Sequence, residues 1–241
     1  MKWPVFNLSP LNVVFIFFIS CAKQQMPDNN PVLQPVPVSA TASLRYLALG
    51  DSYTIGQSVT EQERFPYLTA ALLRAQHINI ADPTYIATTG WTTANLLTAI
   101  NQESALGTYD VVSLLIGVND QYQHLDTAGY RDRFTQLLDK AIALTANRTS
   151  RVFVLSIPDY SATPFVSAED KSRVHQEIDA FNAINKEITL RNAVAYVDIT
   201  PQTQKAATDV SLLANDHLHY SGKEHQHWAD QLAPRIRESL Q

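Results

Sequence analysis

Residues 111–116 read Val-Val-Ser-Leu-Leu-Ile and run directly into Gly117-Val118-Asn119-Asp120. A continuous run of β-branched residues and leucine this long is what a strand covered on both faces requires. Strands covered on both faces belong to parallel sheets, whose crossover connections lay helices over the two sides. Outward from this run, Leu44 to Leu49 predicts a strand that stops at Gly50, and Thr84 to Ala87 a weaker one. Val152 to Ile157 is another buried run, closed by Pro158, and Val194 to Val197 a fifth. Between and after them, residues 65–76, 92–101, 130–146, 168–190 and 222–240 carry helical patterns. In residues 130–146 the apolar stripe is Phe134, Leu137, Leu138, Ile142 and Leu144. Strands alternating with helices predict an α/β domain with three α/β/α layers and a parallel five-stranded sheet. In such sheets a ligand crevice lies outside the carboxyl ends of the strands, so the position of every motif can be tested.

The domain expected over residues 43–241 is preceded by two segments of different character. Lys2 and the apolar run Leu11 to Ile19, broken by Asn12, have the layout of an export signal over residues 1–20. About nine apolar residues are too few to span a bilayer, which takes roughly 20. The run ends at Phe18-Ile19-Ser20-Cys21, where Cys21 is the only cysteine of the 241 residues. This resembles a bacterial lipoprotein signal, which implies cleavage before Cys21, lipidation of Cys21, membrane anchoring and a place in the cell envelope. Residues 21–42, with Pro27, Pro31, Pro35 and Pro37, read as an extended tether. A domain without cysteine suits an oxidising compartment, because it has nothing to mispair.

The net charge of −5 and the scatter of basic residues leave no electrostatic footprint for nucleic acid. At 45% hydrophobic and 17% charged residues, the composition is that of a globular chain with one sizeable core.

Four polar blocks fall where the crevice rule wants them. Gly50-Asp51-Ser52-Tyr53 follows the first strand, Thr89-Gly90-Trp91 the second and Gly117-Val118-Asn119-Asp120 the third; Asp216-His217-Leu218-His219 precedes the last helix. A serine becomes a useful nucleophile when a base takes its proton and a third group holds that base in place. Asp216 and His219 are three residues apart, so on a helical turn the carboxylate would reach the imidazole and leave its other nitrogen for Ser52. His217, offset by two, would point elsewhere.

In this order the blocks resemble the SGNH, or GDSL, hydrolases, a family of esterases and lipases on a flavodoxin-like sheet. Ser52, Gly90, Asn119 and His219 stand at the four residues that give the family its name. The resemblance implies a catalytic triad of Ser52, Asp216 and His219, and an oxyanion hole of the Ser52 and Gly90 N–H groups with the Asn119 amide. It implies no cofactor and no metal. The substrates implied are acyl esters of small molecules, lipids or glycans, such as short-chain esters, lysophospholipids or acetylated sugars. Tyr220 departs from the proline that often follows the family's histidine. Asp51 and Asp120 are expected to brace their loops.

Two rivals stand beside this reading. His217, His219, His225 and His227 lie close together in sequence and histidine clusters bind metal. His225 and His227, however, are two apart on a helix, hence on nearly opposite faces, and are expected to be solvated. The other rival is a non-catalytic binding module on the same fold, tethered at the envelope. The loops 55–64, 121–127 and 159–168 hold Tyr122, Tyr160 and Phe165, with Trp91 and Tyr220 nearby. Those rings are expected either to line an acyl or sugar site or to pack beneath the loops.

Overall fold

The computed structural model describes residues 42–241, together with Met1. The expected export signal, Cys21 and the tether up to residue 41 lie outside the described residues. The elements follow in the order β1 (Tyr46–Gly50), α1 (Ser52–Ile55), α2 (Phe65–Ala75), β2 (Thr84–Ala87), α3 (Thr93–Gln102), β3 (Val111–Leu115), α4 (Val118–Tyr122), α5 (Thr127–Leu144), β4 (Val152–Leu155), α6 (Lys171–Arg191), β5 (Ala195–Val197), α7 (Thr200–Thr203) and α8 (Gly222–Ser239). All strand pairs are parallel, in the order β2-β1-β3-β4-β5. Leu47 of β1 sits between Thr84 of β2 and Val112 of β3 in register.

The burial follows from that order. Every residue of β1, β3 and β4 is buried, whereas the edge strands β2 and β5 are only partly covered. The one polar residue of the opening stretch, Ser113, is buried and accepts a hydrogen bond from the Tyr46 hydroxyl at 2.9 Å. Helices α2 and α8 pack together, and α3, α5 and α6 pack in succession. With right-handed crossovers these two groups cover opposite faces of the sheet. Phe65, Leu73, Trp228, Leu232 and Ile236 fill the first layer, and Phe134, Leu137, Leu138 and Ile178 the second. Full burial of such side chains stabilises the fold by roughly 1.5–3 kcal/mol each. Of the expected stripe in α5, Ile142 and Leu144 are half-buried at the core's margin.

At the carboxyl ends the chain turns sharply. A Cβ on Gly50 would overlap the Thr54 side chain and the Leu115 carbonyl, so glycine lets α1 begin at once beside β3. An antiparallel bridge between Leu213 and Tyr220 holds the loop before α8.

Candidate active site

Ser52 opens α1, and Asp51 caps that helix: one carboxylate oxygen accepts the Tyr53 N–H at 3.0 Å. Burial pushes the Asp51 carboxyl up to about 7, against the pull of the Tyr53 N–H and with the Asp120 charge adding to the rise. As the first helical residue, Ser52 has an N–H without an intrahelical acceptor. Ser52 itself is 5% exposed, enough to open onto a cavity.

Gly90 lies in the turn after β2, where the Trp91 N–H donates to the Thr88 carbonyl at 3.2 Å. Its φ is +82°, and nothing lies near the place a Cβ would take. The backbone conformation, not crowding, therefore calls for glycine there. Asn119 in α4 donates one amide hydrogen to the Trp91 carbonyl at 3.0 Å, which ties the third block to the second. A primary amide has two such hydrogens, and Asn119 also lines the cavity. Asp120 accepts from the Thr93 N–H at 2.8 Å, from the Thr93 hydroxyl at 2.5 Å and from Arg133 at 3.2 Å. It clamps α3, α4 and α5 together, so both aspartates do brace their loops.

The last block is built differently from the helical turn its spacing suggested. Residues 216–219 form a tight turn ahead of α8, with His217 in the left-handed region at φ +57°. One Asp216 oxygen accepts the N–H groups of Leu218 at 3.0 Å and His219 at 2.9 Å. The other meets His219 Nδ1 at 2.7 Å and accepts the Ser58 hydroxyl at 2.5 Å. Partial burial pushes the Asp216 carboxyl up, but Ser58, the His219 N–H and ring, and the Leu218 N–H together hold it well below the usual carboxylate range. With Nδ1 engaged by a carboxylate, Nε2 is the ring nitrogen left to accept a proton. The spacing argument thus reached the right contact through the wrong local structure: an aspartate turn does what a helix face was expected to do.

Ser52, Gly90, Asn119 and His219 line a single, largely apolar cavity of about 180 Å³. Residues 48–227 match the model of the GDSL-like lipase/acylhydrolase family. The chain belongs to that family. As a GDSL enzyme it is a carboxylic ester hydrolase. No curated protein sequence matches it significantly. Solved structures share its fold at low identity. The esterase EstA from Pseudoalteromonas sp., in a form inhibited by monoethylphosphonate, is 17% identical with a TM-score of 0.61, over 82% of this chain and 99% of that one. Phospholipase A1 from Streptomyces albidoflavus is 18% identical with a TM-score of 0.62, over 82% and 100%. A mutant acetyl-xylooligosaccharide esterase from Geobacillus stearmophilus is 18% identical with a TM-score of 0.63, over 80% and 94%.

Tyr53 and Leu218, which stand in the quoted blocks without a role, line the cavity of this GDSL hydrolase, and Ser58 supports Asp216. Tyr53 lies edge-on to the His219 ring at 5.6 Å and packs against Tyr220 and Trp228. Leu218 contributes to the lining. Ser58, at φ +68°, reaches Asp216 across 158 residues of sequence. No motif marks Ser58, because only the fold brings the loop after α1 against the loop before α8. Of the aromatic residues singled out, Tyr122, Tyr160 and Phe165 line the cavity. Tyr220 is buried instead, its hydroxyl donating to the Asp159 carbonyl at 2.9 Å. Trp91 offers its backbone carbonyl to Asn119.

The expectation of solvated histidines on α8 fails for His225. Its ring is 1% exposed, 4.6 Å from the Trp228 ring, and accepts the Phe65 N–H at 3.1 Å. The α2 start needs an acceptor there, and the α8 face that carries His225 also carries Trp228. His227 is half-buried and bonded to the buried Glu224 at 2.8 Å. Among the described residues no three histidine, cysteine, aspartate or glutamate side chains are placed to share a metal ion.

Proposed function

We propose that this GDSL hydrolase cleaves acyl esters through an acyl-enzyme, with Ser52 as nucleophile, His219 as base and Asp216 as the group that orients it. The observation that supports this most is the pairing of His219 Nδ1 with Asp216 at 2.7 Å on the wall of the cavity that Ser52 also lines. Ser52 Oγ attacks the ester carbonyl while His219 Nε2 takes its proton. The Ser52 and Gly90 N–H groups and the free Asn119 amide hydrogen receive the developing oxyanion. Collapse expels the alcohol, which takes the proton from His219, and leaves the acyl group on Ser52. Water, deprotonated by His219, then releases the carboxylic acid and restores the serine. Short-chain esters, lysophospholipids and acetylated sugars are the substrate classes in view. Ser52→Ala should lower kcat by roughly 10³-fold or more with an unchanged melting temperature. Full activity in a folded Ser52→Ala protein would end the proposal.

The same proposal places the enzyme outside the cytoplasm, held to the cell-envelope membrane by a lipid on Cys21. The apolar run before the single cysteine and the proline-rich stretch after it support this. In cells, Cys21→Ala should move the protein from the membrane to the soluble fraction, and an unchanged distribution would count against the anchor.

A further inference from the structure

Tyr122, Tyr160 and Phe165 form a closed triangle, with ring centroids 6.4, 6.3 and 6.4 Å apart. Tyr122 ends α4, after β3, whereas Tyr160 and Phe165 come from the loop after β4. They stand at the β4 side of Ser52, while Gly90 stands at the β2 side. On one side of the triangle is the cavity with Ser52 and His219. On the other is a second cavity of about 250 Å³, lined by the same three rings and by His124, Asp170 and Arg173. The triangle is therefore a partition between an apolar chamber and a polar one. It is also anchored: the Tyr160 hydroxyl donates to the Gln121 side chain at 2.8 Å, and the Gln121 amide donates to Glu177 at 2.6 Å. Tyr122 and Phe165 remain half exposed, at 54% and 50%. Tyr160 is buried beneath them, and two exposed rings held over a cavity by a buried third are placed to meet a ligand.

Resting on the ester hydrolase reading above, we propose that the Tyr122–Tyr160–Phe165 triangle is the end wall of the acyl site and restricts the enzyme to short acyl chains. An apolar cavity of about 150 Å³ takes one benzene molecule. The 180 Å³ chamber thus holds an acyl group of about six carbons. The leaving alcohol must receive its proton from His219, so in this proposal the acyl arm takes the part of the cavity lined by the triangle. A longer chain meets the triangle and has to push Tyr122 and Phe165 away from Tyr160, which is tied through Gln121 to Glu177. Removing Phe165 opens the partition and joins the two chambers. Each methylene then newly buried is worth about fourfold in kcat/KM.

The test is the ratio of kcat/KM for the p-nitrophenyl decanoate and acetate esters, in the full chain, its Phe165→Ala and Tyr122→Ala variants, and Ser52→Ala. The wild type should favour acetate to hexanoate over decanoate by at least tenfold, and Phe165→Ala should raise the decanoate-to-acetate ratio at least tenfold. Tyr122→Ala, on the other edge of the triangle, should raise it in the same direction. A Ser52-dependent activity whose ratio is the same in all three proteins would overturn the partition while leaving the hydrolase reading intact. A profile that follows the alcohol in acetate esters of rising alcohol length would overturn the acyl assignment. Absence of any Ser52-dependent ester cleavage would overturn both.

Discussion

Asn119 spends one amide hydrogen on the Trp91 carbonyl and keeps the other for the cavity. That division fixes the amide plane, so in the proposed mechanism the remaining hydrogen needs no reorganisation when charge develops on the substrate oxygen. Asn119→Ala should reduce kcat by about 10²–10³-fold with little change in KM, because the oxyanion exists only in the transition state. Steady-state kinetics on one ester decide it; a loss confined to KM would make Asn119 a ground-state contact instead. At this scale the motifs were legible because each needs a residue type that nothing else supplies, such as glycine at φ +82° at position 90. Ser58 was not legible. A serine in a polar loop carries no signal, and its bond to Asp216 exists only because two distant loops meet.

Helix α8 carries a buried triad of Glu224, His225 and Trp228, with the Trp228 N–H donating to Glu224 at 2.9 Å. Burial pulls His225 down to about 3, with His219 and Arg64 adding to the fall, while an unfolded histidine titrates near ~6.5. Between those values the unfolded chain binds the extra proton, so this group costs the fold about 1.4 kcal/mol for each unit that the pH drops. Asp51 acts in the opposite sense. Its folded carboxyl stays protonated up to about 7 against an ordinary 3.8, so over that span acidification favours the fold. From about pH 6.5 to 4 the two effects offset each other; below about 4 the Asp51 compensation is exhausted, and the His225 loss is joined by those of the depressed Asp216 and Asp209 carboxyls. The melting temperature should therefore be nearly flat from pH 6.5 to 4.5 and drop steeply below 4, and His225→Gln should soften that drop. A steady decline from pH 6.5 downward would show that the offset is absent. Long elements were readable within a few residues, since apolar runs and stripes mark them. The short helices α1, α4 and α7 were not, because four or five residues cannot display a period. His225 was misread for a related reason: helical spacing separates it from His227 but does not say which face is inside.

For the whole molecule, strand order β2-β1-β3-β4-β5 brings the ends of β1, β2 and β3 side by side, and the packing of α8 on α2 returns the last block to the same end of the sheet. Ser52 and His219, 167 positions apart in sequence, thus line one chamber. The parallel sheet was readable because alternating strands and helices admit few other arrangements. Of the apolar chamber, three lining rings, Tyr122, Tyr160 and Phe165, were readable as candidates, but its shape was not, since the loops that close it have no repeating pattern. The central claim is that Ser52 is a nucleophile activated by the His219–Asp216 pair. It is tested most directly by treating the protein with an organophosphonate ester and locating the adduct by peptide mass spectrometry. One phosphonyl group per chain should appear on Ser52, at a rate greatly reduced in His219→Ala and nearly unchanged in His217→Ala. No adduct, an adduct at another residue, or equal slowing by the two histidine variants would contradict it.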